Sequence, residues 1–296
     1  MKEAYLTKNL GLVTLDRIAQ ANKIIAEYQA QDFTLTVRQV YYQFVARALI
    51  PNELRSYRLV ANALEKGRLT GLIDWRAIED RTRFLRGNVH WEDPEHILMS
   101  AADSYKLDSR ANQPFLIEVW IEKDALVGVI DSICRKLDVD FFACRGYVSL
   151  SEMWRAARRY QLEDRTCVLL HLGDHDPSGL DMTGDIQRRL EMFQCENVEV
   201  RRIALNMDQI EQYKPPPNFA KMSDTRAAEY VSEFGDESWE LDALPPNVIA
   251  DLIEENVERL TDEDKRQDIL EQQAVDRSNL NKVADKWEEL KEGGWI

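Results

Sequence analysis

The chain has 296 residues, 44% of them hydrophobic, and a formal net charge of −15. That length is enough for two domains with a sizeable core, and no apolar run approaches the length of a membrane span. Bulk acidity argues against a generic nucleic-acid binder, but the charge is unevenly placed. Residues 1–90 hold 14 Lys and Arg against 9 Asp and Glu, a net +5, whereas residues 206–296 hold 10 against 23, a net −13. The basic N-terminal part and the acidic C-terminal part are therefore read separately. The opening Met1-Lys2-Glu3-Ala4 lacks a secretory leader pattern. Cys134, Cys144, Cys167 and Cys195 are scattered, with no close pair that suggests zinc, and read as reduced, mostly buried thiols of a cytoplasmic protein.

Apolar spacing predicts a first helix over 12–28, through Leu12, Leu15, Ile18, Ala19, Ile25 and Ala26, interrupted by Asn22. Asp32-Phe33-Thr34-Leu35 breaks it. Thr36 then caps a second helix over 37–49, which stops at Ile50-Pro51-Asn52. A third helix, about 55–70, carries Arg55, Arg58, Lys66 and Arg68 and ends near Gly71. Three short helices with a basic third suit a winged-helix-like DNA-binding domain over residues 1–90, with these four side chains toward DNA. Any small helical bundle has the same spacing. In the second helix Val37, Tyr41, Phe44 and Val45 form one stripe, which places Tyr41 in the core. Arg38 and Tyr42 lie together about 100° round the helix. A guanidinium beside a phenol can favour phenolate and can hold a phosphate, a pair suited to attack on a phosphodiester. A buried tyrosine bonded to a neighbour is the plain alternative.

Residues 86–114, with Gly87, Pro94 and Pro114 among polar residues, read as a connector between domains. The α/β alternation follows: strand 115–121, helix 125–137, strand 139–144, helix 151–160, strand 166–172, helix 180–193 and strand 198–205. This defines a second domain over 115–213. Tyr213-Lys214-Pro215-Pro216-Pro217 interrupts, and 214–296 reads as an acidic, mainly helical extension, with Val248, Leu252, Ile253 and Val257 on one stripe.

Three carboxylates stand out in the α/β part. Asp174 and Asp176 follow the apolar run Val168–Leu172, and Pro177-Ser178-Gly179 follows them. Glu122 ends the run Phe115–Ile121. Open α/β sheets place ligands at the carboxyl ends of their strands, and crowded carboxylates there need a cation or a proton. Hard oxygen donors suit Mg²⁺, so Glu122, Asp174 and Asp176 are the candidate metal ligands. Plainer roles are an Asx turn for Asp174, a helix cap for Asp176 and solvation for Glu122. Arg145, in Cys144-Arg145-Gly146-Tyr147, lies just past another strand and is a candidate phosphate contact or a surface cation.

These segments together resemble a known family. Glu122 at one strand end and Asp-x-Asp at another are similar to the TOPRIM fold of topoisomerases, primases and some nucleases. Ile121-Glu122-Lys123-Asp124-Ala125 with Asp174-His175-Asp176-Pro177-Ser178-Gly179 resembles the topoisomerase VI-A proteins and the related meiotic double-strand-break proteins. Arg38-Gln39-Val40-Tyr41-Tyr42 matches that family's Arg-x-x-aromatic-Tyr. The resemblance covers about residues 34–205. Residues 223–246 and the acidic tail are closer to compact bacterial, phage and mobile-element relatives. It implies a winged-helix domain followed by a parallel-sheet, Rossmann-like TOPRIM domain, Mg²⁺ on Glu122, Asp174 and Asp176, and Tyr42 as nucleophile with Arg38 beside it. It also implies double-stranded DNA as partner, a homodimer in which the tyrosine of one copy meets the metal site of the other, and a separate ATPase partner protein. Two alternatives stand: a TOPRIM nuclease using water, and a non-catalytic DNA-binding subunit.

Overall fold

The computed structural model describes residues 2–31, 33–79, 88–219 and 226–293. Asp32 and Gly87, to which two of the expected breaks were assigned, lie outside them. The chain divides into two compact units. The larger comprises residues 1–84 and 117–258, the smaller 85–116 and 259–296.

The larger unit begins with three helices, α1 (Leu12–Gln29), α2 (Val37–Ala46) and α3 (Leu54–Leu69). The Thr36 cap is a full capping box. Gln39 N–H donates to Thr36 Oγ1 (3.3 Å) and Thr36 N–H donates to Gln39 Oε1 (2.9 Å). The three helices close on Ile18, Ile24, Val40, Phe44, Val60 and Leu64. Isolated bridges Ala4–Thr70 and Leu35–Ile78 flank them, and no two-stranded wing occurs among the described residues of this segment.

The α/β part follows in the expected order: β1 (Phe115–Ile121), α5 (Val127–Leu137), β2 (Asp140–Ala143), α6 (Leu150–Gln161), β3 (Thr166–Leu172), α7 (Pro177–Met192) and β4 (Val198–Ala204). The sheet order is β2-β1-β3-β4. Pairs β1/β2 and β3/β4 are parallel, with Glu118 opposite Asp140 and Cys167 opposite Val198. β3 is buried from Cys167 to Leu172, as expected of a strand covered on both faces. All four cysteines are free and buried. After β1 the chain builds outward to β2, then returns to the other side of β1 with β3. The switch point of the fold thus lies between β1 and β3, where such sheets bind ligands.

Several boundaries differ from the sequence reading; α2, for one, ends at Ala46 rather than Leu49, and α5 starts at Val127 rather than residue 125. α7 starts at Pro177 rather than near Leu180, because Asp176 is its cap and proline suits the first helical turn. Residues expected only to connect contain α4 (Pro94–Ser104), capped by Asp93, whose side chain accepts the His96 N–H (2.7 Å). The C-terminal region is also not one entity. α8 (Met207–Tyr213), the short β5/β6 pair (Asn218–Phe219, Glu237–Ser238), α9 (Ala227–Phe234) and α10 (Pro246–Glu258) lie in the larger unit. There α10 packs on α5 and β4. The smaller unit pairs α4 with α11 (Glu263–Asp285), and α12 (Trp287–Glu292) follows. Its seam is partly polar: Tyr105 hydroxyl donates to Asp276 Oδ2 (3.0 Å), Leu107 N–H to Gln273 Oε1 (2.8 Å) and Arg277 Nε to the Tyr105 carbonyl (2.7 Å). No helix among the described residues is long and apolar enough to cross a membrane.

The first turn of α7 folds tightly onto the segment before it. A Cβ at Gly179 would stand 2.2 Å from the Asp174 carbonyl oxygen, a backbone atom with no freedom to yield. A Cβ at Gly184, further along the helix, would meet only the end of Arg188. Gly179→Ala should therefore destabilise the protein by about 1–3 kcal/mol. Gly184→Ala should be neutral or stabilising by up to about 1 kcal/mol, since alanine favours helix. Urea unfolding of the two variants checks the opposite signs.

Candidate active site

The switch point brings Glu122 and Asp174 together. Glu122 N–H donates to the Leu172 carbonyl (2.9 Å), so the ladder continues past β1, and Asp174 N–H donates to Glu122 Oε2 (2.9 Å). Gly173 keeps the approach open, since a Cβ there would lie 3.0 Å from Glu122 Oε2 and 3.2 Å from His171 Cε1. Asp176 takes the plainer role foreseen for it: its Oδ1 accepts the Gly179 N–H (2.7 Å) and the Ser178 hydroxyl (2.9 Å), capping α7. It also lies close enough to raise the Glu122 pKa by repulsion.

Beneath this edge Arg202 of β4 acts as a half-buried brace. Its Nη2 donates to the Asp174 carbonyl (2.6 Å) and the Gly173 carbonyl (2.9 Å), its Nη1 to the Gly179 carbonyl (2.9 Å) and Thr183 Oγ1 (3.0 Å). Burial lowers its pKa to about 10, against the pull of Glu122, Asp174 and Asp176. Above the edge, Lys123 Nζ contacts Asp174 Oδ1 (3.0 Å), Glu240 Oε2 (2.8 Å) and Asp242 Oδ1 (2.9 Å). Burial alone would lower the Lys123 pKa, but Asp242, Asp174 and Glu240 outweigh it and raise it. Burial pushes the Asp174 carboxyl up to about 7, opposed by Lys123, and pushes Glu122 up as well.

Among the described residues no three His, Cys, Asp or Glu side chains form a ready-made metal cage. The donor chemistry at the switch point nevertheless suits Mg²⁺. Two hard carboxylates meet there with raised pKa, a third stands nearby, and Mg²⁺ commonly takes only one or two carboxylates and completes its shell with water and phosphate.

The tyrosine pair lies on α2. Arg38 Nη2 donates to Tyr42 Oη (3.3 Å), and its guanidinium lies 5.7 Å from the ring centroid. Tyr42 is only 3% exposed. Its pKa is raised, not lowered: burial acts first, then the charges of Asp242 and Glu240, and Arg38 offsets them only in part. The expectation that Arg38 favours phenolate is thus corrected. Arg38 is itself committed to acids, with Nε 3.1 Å from Asp242 Oδ2 and Nη2 on Glu240 Oε2. Tyr41 is also buried and donates to Asn52 Oδ1 (2.8 Å) while stacking edge-on to Tyr57. Arg38, Tyr41, Tyr42, Asn52, Asn218 and Glu240 border a cavity of about 400 Å³.

The other basic candidates separate. Arg55 and Arg58 are exposed on the outer face of α3, and Lys66 is half-buried. Arg68 turns inward, its guanidinium 4.7 Å from the Trp75 ring centroid. Arg145 pairs with Asp124 (3.0 Å), just past Lys123. Sequence reading missed Lys123, Arg202, Glu240 and Asp242 as site residues. Glu240-x-Asp242 repeats the carboxylate spacing of Asp174-x-Asp176 ahead of a proline, which was the available signal. No protein-family model matches the chain, and no curated protein matches it at a significant level.

Acid sensitivity follows from His171, which is fully buried with Nδ1 on Thr183 Oγ1 (2.8 Å). Burial, then the charge of Arg202, lower its pKa to about 3. Between pH 6.5 and about 3 the unfolded chain binds the proton that the folded chain refuses. Stability contributed by neutral His171 is therefore lost as pH falls through that window, by at most about 1.4 kcal/mol per pH unit. His171→Asn keeps a donor for Thr183 and removes the titration. Urea midpoints measured from pH 7 to 4 should fall less steeply for this variant than for the wild type.

Proposed function

We propose that this protein is a Mg²⁺-dependent DNA-cleaving protein of the topoisomerase VI-A type. Tyr42 Oη attacks a backbone phosphorus and forms a phosphotyrosine bond, while the bond from phosphorus to a sugar oxygen breaks. The phenolic proton leaves Tyr42, and the departing sugar oxygen takes up a proton. Arg38 orients the phenol and holds the phosphate. Mg²⁺ would be held by Glu122, Asp174 and Asp176, and when bound it supplies charge stabilisation at phosphate oxygens. The observation that carries the reading is one unbroken series of polar contacts in a single compact unit. It runs from Tyr42 through Arg38, Asp242 and Lys123 to Asp174 and Glu122. It joins the two motifs from which the function was inferred.

Duplex DNA is the proposed partner, met by the basic face of α3 and by Arg145. A second copy of the chain and a separate ATPase protein belong to the assembly that the resemblance implies, although the contacts named above link Tyr42 to the carboxylates of its own chain rather than to those of a second copy. The winged-helix and TOPRIM assignments belong to the same proposal. Residues 80–87 of the expected DNA-binding domain lie outside the described residues. Water as nucleophile, the nuclease reading, has one observation in its favour: Tyr42 is only 3% exposed, and burial raises its pKa.

Supercoiled DNA incubated with protein and Mg²⁺, then run with and without proteolysis, tests cutting and covalent attachment together. Tyr42→Phe should fold and lose the adduct, whereas Tyr41→Phe should keep it. Asp174→Asn should reduce cleavage by on the order of 100-fold. Cutting by Tyr42→Phe at the wild-type rate would hand the chemistry to water. Arg58→Glu with Lys66→Glu should weaken duplex binding and lower the slope of log affinity against log salt by about 1–2. An unchanged slope would move DNA off α3.

A further inference from the structure

The acids around Arg38 and Lys123 are unusual for a site expected to receive a phosphate. Glu240 Oε2 accepts from Lys123 Nζ (2.8 Å) and from Arg38 Nη2. Its Oε1 accepts from Asn218 Nδ2 (3.3 Å), and the Tyr42 hydroxyl stands beside it, accepting from Arg38 Nη2 (3.3 Å). One planar anion with two oxygens is thus met by a guanidinium, an ammonium and an amide, with the Tyr42 phenol beside the guanidinium. That donor set also recognises a phosphodiester, which likewise spreads one negative charge over two free oxygens. Glu240 is held strongly anionic, its pKa brought to about 2 because Lys123 and Arg38 outweigh the opposing effect of burial.

Resting on the DNA-cleavage reading, we infer that Arg38, Lys123, Tyr42 and Asn218 form a phosphodiester subsite, and that the Glu240 carboxylate fills it as an internal surrogate that DNA displaces. The two acids of the segment have different parts. The Asp242 side chain is 2% exposed and bridges the cations, Oδ1 to Lys123 (2.9 Å) and Oδ2 to Arg38 (3.1 Å), so it is a fixed counter-ion. The Glu240 side chain is 26% exposed and borders the 400 Å³ cavity, so it has somewhere to go. Its backbone need not move. His175 N–H donates to the Trp239 carbonyl (2.8 Å), Trp239 N–H to the His175 carbonyl (2.9 Å), and Leu241 N–H to Asp174 Oδ1 (2.8 Å). These bonds hold the segment whatever the charge at position 240. Displacement exchanges one anion for another and leaves both cations paired.

The test is equilibrium binding of a short DNA duplex without divalent ions, so that no cutting is read. Glu240→Gln keeps the shape and removes the competing charge. Glu211→Gln, on the exposed face of α8, makes the same change in net charge elsewhere. Glu240→Gln should bind about 3- to 10-fold more tightly than wild type, while Glu211→Gln should change by less than about 2-fold. Adding Lys123→Met to Glu240→Gln should abolish the gain. Glu240→Ala gives an independent variant with the same expected sign. Binding by the Glu240 variants no tighter than by Glu211→Gln, or a gain that survives loss of Lys123, overturns the inference. Absence of any DNA adduct in the wild type would sink the cleavage reading and leave this binding comparison standing.

Discussion

The ammonium of Lys123 is the interaction on which the rest of the site depends. It is half-buried and bonded to carboxylates from two other segments, Asp174 after β3 and Glu240 with Asp242 before α10. A buried ion pair is weak evidence for net stability, because desolvation offsets much of its attraction. Its effect is specification. An unpaired ammonium in that position would be costly, so the strand ends and the 239–243 turn must arrive in one arrangement to satisfy it. Asp242 then carries the requirement on to Arg38, and so to α2 and Tyr42. The register of a helix near residue 40 is thereby tied to the end of a strand near residue 172.

Arg202 completes the arrangement from the opposite side. It reaches Asp174 through the main-chain carbonyl and leaves the side chain to Lys123 and the Leu241 amide. The division matters electrostatically. A cation bonded directly to both oxygens of Asp174 would cancel its charge, whereas one bonded to its backbone fixes its position and leaves its charge largely unspent. Burial raises the pKa of both Asp174 and Glu122, and the pull of Lys123 offsets it only in part.

Much of this was legible in the sequence, for identifiable reasons. β1 and β3 are near-continuous apolar runs, and both were read to the residue. Helices α1, α2 and α3 follow from spacing, the Thr36 cap and Gly71. The carboxylates were legible because a strand that ends in an acid places it at a sheet edge. What was not legible depends on distant parts of the chain. Lys123 stood inside a quoted motif, but its role requires partners 51, 117 and 119 residues away. The phenolate expectation failed because Arg38 was counted without the burial of Tyr42 and without the two acids that share the guanidinium. α4 was hidden because Pro94, taken as a breaker, occupies the first turn of a helix capped by Asp93.

The interleaved division of the chain has a consequence for biosynthesis. The seam of the smaller unit joins Tyr105 to Asp276, 171 positions apart, and the intervening sequence belongs almost entirely to the larger unit. At roughly 5–20 residues per second on the ribosome, α4 emerges about 10–30 s before its partner helix. During that interval all four strands of the sheet have been synthesised while α4 lacks α11. A nascent chain released before residue 259 would hold every named residue of the candidate site and lack α11, the helix that α4 packs against.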